Sequence, residues 1–150
     1  MTDRQLTDHA TLLLRVSMGI MFLAHGIVLK YLTFTPAGTA QYFESIGYPA
    51  FTAYVVIAGE AIGGLLLIAG YKVRLVSLAF IPLLIGATLQ HVGNGWVFSA
   101  DGGGFEFPVF WTIALVVQAL LGAALGALAA IVVLVASRYL QEQLRAPQSD

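Results

Sequence analysis

The chain reads as all-α, an integral membrane four-helix bundle, and three observations lead there. Hydrophobic residues make up 59% of the 150 positions and charged residues 10%, against roughly a quarter charged in an ordinary soluble domain. The apolar residues gather into four runs, residues 10–29, 50–69, 75–92 and 107–136, each near or above the roughly 18 to 20 residues that cross a bilayer as helix. Nearly all Lys and Arg fall on one side of those runs. Lipid offers a backbone no hydrogen-bond partner, so the runs should be helices packed as a single domain over residues 1–150. The lipid bilayer is therefore the first partner. Basic patches for nucleic acid are absent, and a chain without cysteine supplies no disulfide and no iron–sulfur ligand of its own.

The first run carries Arg15 and His25 and lacks an A-x-A cleavage site, so it is expected to stay in the mature protein. The loop after it, "LTFTPAGTAQYFESIGYP", has Thr35 as a candidate N-cap, Pro36 at the first helical position, and Gly47 then Pro49 as a stop. It predicts a short interfacial helix whose Tyr42, Phe43 and Ile46 anchor at the membrane surface. The second run supplies Gly59, Gly63 and Gly64, and the fourth Gly122 and Gly126; small residues spaced this way let helix backbones approach closely. Pro82 interrupts the third run and can kink it. The second long loop, "GNGWVFSADGGGFEFP", is glycine-rich, and folds over the bundle mouth or serves as a plain connector.

Charge sets the expected orientation. Arg4, Arg15, Lys72, Arg74, Arg138 and Arg145 crowd one side and only Lys30 falls on the other, so both termini and the "GYKVR" turn should be cytoplasmic, with residues 31–49 and 93–106 outside.

Inside the bilayer the chain places a column of polar groups. At about 1.5 Å of rise per residue, Arg15 lies roughly 8 Å from the inner edge, Glu60 near the midplane and His25 roughly 7 Å from the outer edge. His91, Gln90 and Glu106 fall at the outer ends of the third and fourth runs. A lone charge at the midplane costs on the order of 3 kcal/mol, so Glu60 should be neutral, paired or facing water, with Arg15 as its expected partner. The two then form either a static pair that fixes helix packing or a catalytic proton relay with His25. Arg15, Phe22 and His25 share roughly 80° of arc on one helix, so His25 should point inward, toward the second or third helix. His25, His91 and Glu106, with Gln90, are expected to line one outer cavity capped by the glycine-rich loop. Imidazole there can hydrogen-bond a quinone carbonyl, carry a proton or ligate haem iron, and a packing role for each histidine stays open. No metal site is assigned.

"RVSMGIMFLAHGIVLK", "YFESIGYP", "GEAIGGLLLIAG" followed by Arg74, then His91 and "GGGFEFP", resemble, in that order, DoxX-family membrane proteins. The resemblance covers residues 12–126 and rests on Arg15, Gly19, His25, Gly26, Lys30, Glu60, Gly63, Gly64, His91 and Glu106. It implies a multi-pass protein of a bacterial or archaeal inner membrane, a small subunit or enzyme of a quinone-linked oxidoreductase system, with other oxidoreductase subunits as partners. After Gly126 the chain departs from that pattern in a longer apolar helix. Two other readings stand beside the quinone one: a haem b protein using His25 and His91, and a non-catalytic anchor or assembly subunit.

Overall fold

The computed structural model describes residues 2–122; Met1 and residues 123–150 lie outside the described residues. All the regular structure among the described residues is helical. Helix α1 spans Asp3–Leu23 and begins seven residues before the apolar run. Its start is fixed by a capping box: the Thr2 hydroxyl accepts from the Gln5 amide at 3.3 Å, and the Gln5 side chain accepts from the Thr2 amide at 2.9 Å. The same rod continues as a π-helix over Ala24–Thr33, its wider winding visible in the Phe34 amide donating to the Leu29 carbonyl at 2.8 Å. Helix α2 (Pro36–Ser45) is the short helix expected in the first loop. Thr35 caps it, accepting from the Gly38 amide at 3.2 Å, with Pro36 in its first turn.

Helix α3 (Phe51–Ala69) ends at Gly70, and α4 (Val73–His91) carries Pro82 in its interior without being interrupted by it; a 3-10 turn follows over Val92–Asn94. Helix α5 spans Glu106–Leu121. Three helical rods, Asp3–Thr33, Phe51–Ala69 and Val73–Asn94, are long and apolar enough to cross a membrane, and α5 is a shorter apolar helix of 16 residues. The sequence predicted an unbroken helix to residue 136. Within the described residues that expectation fails at Gly122, whose φ of 70° and ψ of −156° suit glycine alone. There the chain turns against the Arg74 side chain, and the Gln118 side-chain amide donates to the Gly122 carbonyl at 3.0 Å. Residues 123–136, Gly126, Arg138 and Arg145 lie outside the described residues.

Helix α1 packs on α3 and α4 on α5, while contacts of α3 with α4 and of α1 with α5 close the arrangement; α2 lies across α3 and the π-helix. The shared core holds Met18, Phe22, Leu67, Val73, Phe80, Leu84, Trp111 and Leu115. Small residues set the tightest crossing. A Cβ on Gly19 would stand 2.7 Å from the Gly64 carbonyl, and one on Gly64 would stand 2.8 Å from the Gly19 carbonyl, so the backbones of α1 and α3 touch directly. Gly63 likewise makes room for the Phe80 ring. Gly59, expected to pack in the same way, is exposed with nothing near its Cβ position. Gly64→Ala should therefore cost about 1 to 3 kcal/mol in an unfolding titration, because two backbones must part. Gly59→Ala should leave stability unchanged or slightly raised.

Candidate functional site: an aromatic cavity with a buried ion pair

The chemistry of the site begins with the winding of one segment. In an α-helix, residues five apart are turned about 140° from one another, so Lys30 would point away from the face that carries His25. An i→i+5 ladder draws residues five apart toward a common face. His25 and Lys30 thus both reach one cavity wall. Close approach does the rest: Gly26 lies so near α3 that a Cβ there would sit 2.8 Å from the Glu60 Cβ. Side chains flanking Gly26 are carried to the depth of Glu60.

The Lys30 ammonium donates to both Glu60 oxygens, at 2.8 and 2.7 Å, with the carboxylate almost wholly buried and the lysine partly so. Glu60 is therefore paired as its depth requires, but its partner is Lys30 and not Arg15. Arg15 is fully buried on α1, in the half of the rod away from the π-helix, its guanidinium against Gly70, ten residues or about 15 Å along α3 from Glu60. The expectation of an Arg15–Glu60 contact is corrected on that geometry. Lys30 stands out in the sequence as the sole exception to the charge asymmetry and as one of the residues that carry the family resemblance, but neither signal names Glu60 as its partner.

A cavity of about 470 Å³ opens beside the pair. Lys30, Glu60 and His25 form part of its wall, Gln90 and His91 another part, and Trp111 and Phe107 give it aromatic surface. The His25 Nδ1 donates to the Met21 carbonyl at 2.9 Å, which leaves Nε2 for other chemistry, and its ring packs 4.9 Å from that of Trp111. His25 points inward as expected, but it meets α5, where the second or third helix had been expected. Trp111 also packs at a tilt of 32° on Phe22, which stacks on Phe80 with centroids 3.7 Å apart. Its indole N–H is buried and has no hydrogen-bond partner among the described residues.

His91 reaches the cavity wall, with its Nδ1 donating to the Gly103 carbonyl at 3.0 Å. The glycine-rich loop is held by that bond, by Asn94 donating to the Gly102 and Gly103 carbonyls, and by Glu106, which accepts from the Phe98 amide at 2.6 Å. Two expectations are corrected here. Glu106 is occupied in tying its own loop and does not line the cavity, and none of residues 92–106 covers it. The cover is the end of α2 and the residue after it, through Tyr42, Phe43 and Ile46, the residues expected only to anchor at the surface. Thr39 fastens α2 down by donating to the Lys30 carbonyl at 3.0 Å. Among the described residues no group of three or more His, Cys, Asp or Glu could hold a metal ion.

Comparison with known proteins places this arrangement. The family model DoxX matches residues 10–93. The chain belongs to the DoxX family. With the three long apolar rods, that makes it a multi-pass membrane protein. The DoxX match takes in His25, Lys30, Glu60, Gln90 and His91 and stops short of Phe107 and Trp111. A Bacillus subtilis (strain 168) protein named "Putative oxidoreductase CatD" is 48% identical over 79 residues, 53% of this chain and 57% of that relative. The aligned region thus spans just over half the length of the curated relative. No solved structure matches the chain.

Proposed function

We propose that this DoxX-family protein is a quinone-binding membrane component of an oxidoreductase system, a four-helix bundle with both ends cytoplasmic and the cavity in its outer half. One observation carries the reading: a partly buried ion pair, Lys30–Glu60, opens with His25 onto an aromatic-walled cavity of about 470 Å³. Drug-sized aromatic ligands occupy pockets of about 300 to 1,000 Å³ that are mostly apolar, with a few placed polar groups. The donors here suit a planar ring with carbonyl oxygens at opposite ends. Lys30 donates to one oxygen and Gln90 to the other, His25 and His91 stand beside them with Nε2 free to take up and pass on a proton because Nδ1 donates to a backbone carbonyl, and Trp111 and Phe107 flank the ring.

Reduction of a quinone to a quinol takes up two electrons and two protons, and the electrons come from the oxidoreductase partner. The protons are handled by this chain. The Lys30 ammonium gives one proton to the near oxygen and regains it from solvent by way of His25 Nε2, with the Glu60 carboxylate stabilising the lysine charge, while His91 Nε2 passes a second solvent proton to the far oxygen. The name of the relative supports oxidoreductase chemistry, and the apolar cavity walls support a membrane-soluble substrate. The haem b reading has only the two histidines in its favour.

The test uses Trp111 as reporter, since the chain has two tryptophans and Trp96 lies on an exposed loop. In a Trp96→Phe protein, a short-chain benzoquinone should quench Trp111 saturably, with affinity weakened by about tenfold or more in Gln90→Ala, the loss of one good hydrogen bond to a ligand. Purified protein should show no Soret band. Linear, unsaturable quenching, or a Soret band from a bound haem, would overturn the quinone reading.

A further inference from the structure

A second cavity, of about 520 Å³, lies between the π-helix and α2. It shares His25, Lys30, Tyr42 and Phe43 with the first, so these four side chains stand between the two spaces. Its remaining lining is Leu29, Phe34, Gly38 and Thr39. The Thr39 hydroxyl is already spent on the Lys30 carbonyl, so this space offers little for a polar ligand. Leu29, near the end of a membrane-spanning rod, and Phe34, just past it, are exposed at its margin, where apolar side chains meet lipid. The space is thus an apolar slot, open sideways toward lipid and continuous in its walls with the polar cavity.

We propose that the slot holds the hydrocarbon tail of the same quinone whose head occupies the first cavity, so that the substrate is a tailed, membrane-resident quinone that arrives laterally from the bilayer between the π-helix and α2. This rests on the quinone reading and specifies its substrate class. A head at Lys30 and His25 has its ring in one space and the start of any substituent chain in the other. Transfer of a tail from lipid into an apolar slot changes little in hydrophobic free energy, because lipid is itself apolar. What the slot supplies is orientation: the tail fixes which ring oxygen meets Lys30. Affinity is therefore a poor readout, and position is a good one.

The experiment places the protein in lipid nanodiscs with a quinone that carries a photoreactive diazirine on the first unit of its tail. Crosslinks should fall on Leu29, Phe34 and Thr39 and disappear when excess unlabelled tailed quinone is added. Gly38→Leu should fill the slot, since a Cβ at Gly38 meets only the Thr35 hydroxyl, at 3.4 Å. In that variant the crosslinks should be lost while a tailless benzoquinone still quenches Trp111 as in the parent protein. Crosslinks scattered over the outward faces of α4 and α5, or a slot labelled by a diazirine phospholipid that tailed quinone cannot displace, would overturn the tail assignment. Loss of tailless quenching in the parent protein would instead overturn the quinone reading itself. Loss of tailless quenching only in Gly38→Leu would show that the two spaces are not separate, and would also overturn the proposal.

Discussion

Lys30→Met should destabilise the protein by about 3 to 5 kcal/mol, because it strands the buried Glu60 carboxylate, which keeps only the His25 imidazole near it among the described residues. Glu60→Gln should cost less than the stranded acid, since a neutral amide still hydrogen-bonds Lys30. The double change Lys30→Met with Glu60→Leu should be near neutral or stabilising, because an apolar pair of similar volume avoids the desolvation cost of both charges. Unfolding titrations in mixed micelles on all three variants check this. Arg15→Met supplies the control that separates the two buried cations: its effect should add to that of Glu60→Gln with little coupling, as expected for side chains held far apart along the bundle. Strong coupling between Arg15 and Glu60 would mean that the pair first expected from the sequence is the real one.

The second large effect is expected at Trp111. It is buried, packs on Phe22, Phe107 and His25, and also forms part of the cavity wall. Trp111→Ala should cost about 3 to 5 kcal/mol, the usual range for deleting a core indole. Trp111→Phe separates packing from hydrogen bonding. It keeps most of the aromatic contact and removes only an N–H that has no partner among the described residues, so its stability cost should be much smaller. Because the indole ring forms part of the cavity wall, Trp111→Phe should weaken quinone binding several-fold through lost aromatic contact while leaving the fold intact. Trp96→Ala, on an exposed loop, should fall within about 0.5 kcal/mol of the parent. Thermal unfolding with and without benzoquinone measures both quantities.

These expectations rest on features that the sequence exposes unequally. Apolar runs announce helices because only a helix satisfies its own backbone in lipid, and α3 and α4 fall within two residues of the expected ends. The cap at Thr35 and the stop at Gly47 were readable because both depend on local chemistry. The inward face of α1 was readable too, since Arg15, Phe22 and His25 share it at ordinary helical spacing. What failed was the step from ordinary spacing to the π-helix. Residues 24–33, "AHGIVLK" and "YLT", have a composition an α-helix would accept, and the close approach of Gly26 to Glu60 joins positions thirty-four residues apart, which local spacing does not reveal. With α-helical spacing assumed, Lys30 looked like an edge residue and Glu60 was given the wrong partner. The cavity cover was missed for a similar reason. Tyr42, Phe43 and Ile46 have the composition of a membrane-surface anchor, and only the position of α2 across the π-helix turns them toward a ligand space.

The site can be addressed at its own nitrogen, because Lys30 and Lys72 are the chain's two lysines. A protein labelled with nitrogen-15 at the lysine Nζ should give two resolvable side-chain signals, and Lys72, in the turn beside Tyr71, is an internal control distant from the cavity. Titration with a tailless benzoquinone should move the Lys30 signal saturably and leave Lys72 in place, since Lys30 donates to the ligand from its bond with Glu60. If neither signal moves at quinone concentrations that saturate Trp111 quenching, or if both move together, the Lys30–Glu60 pair is not the quinone-binding group.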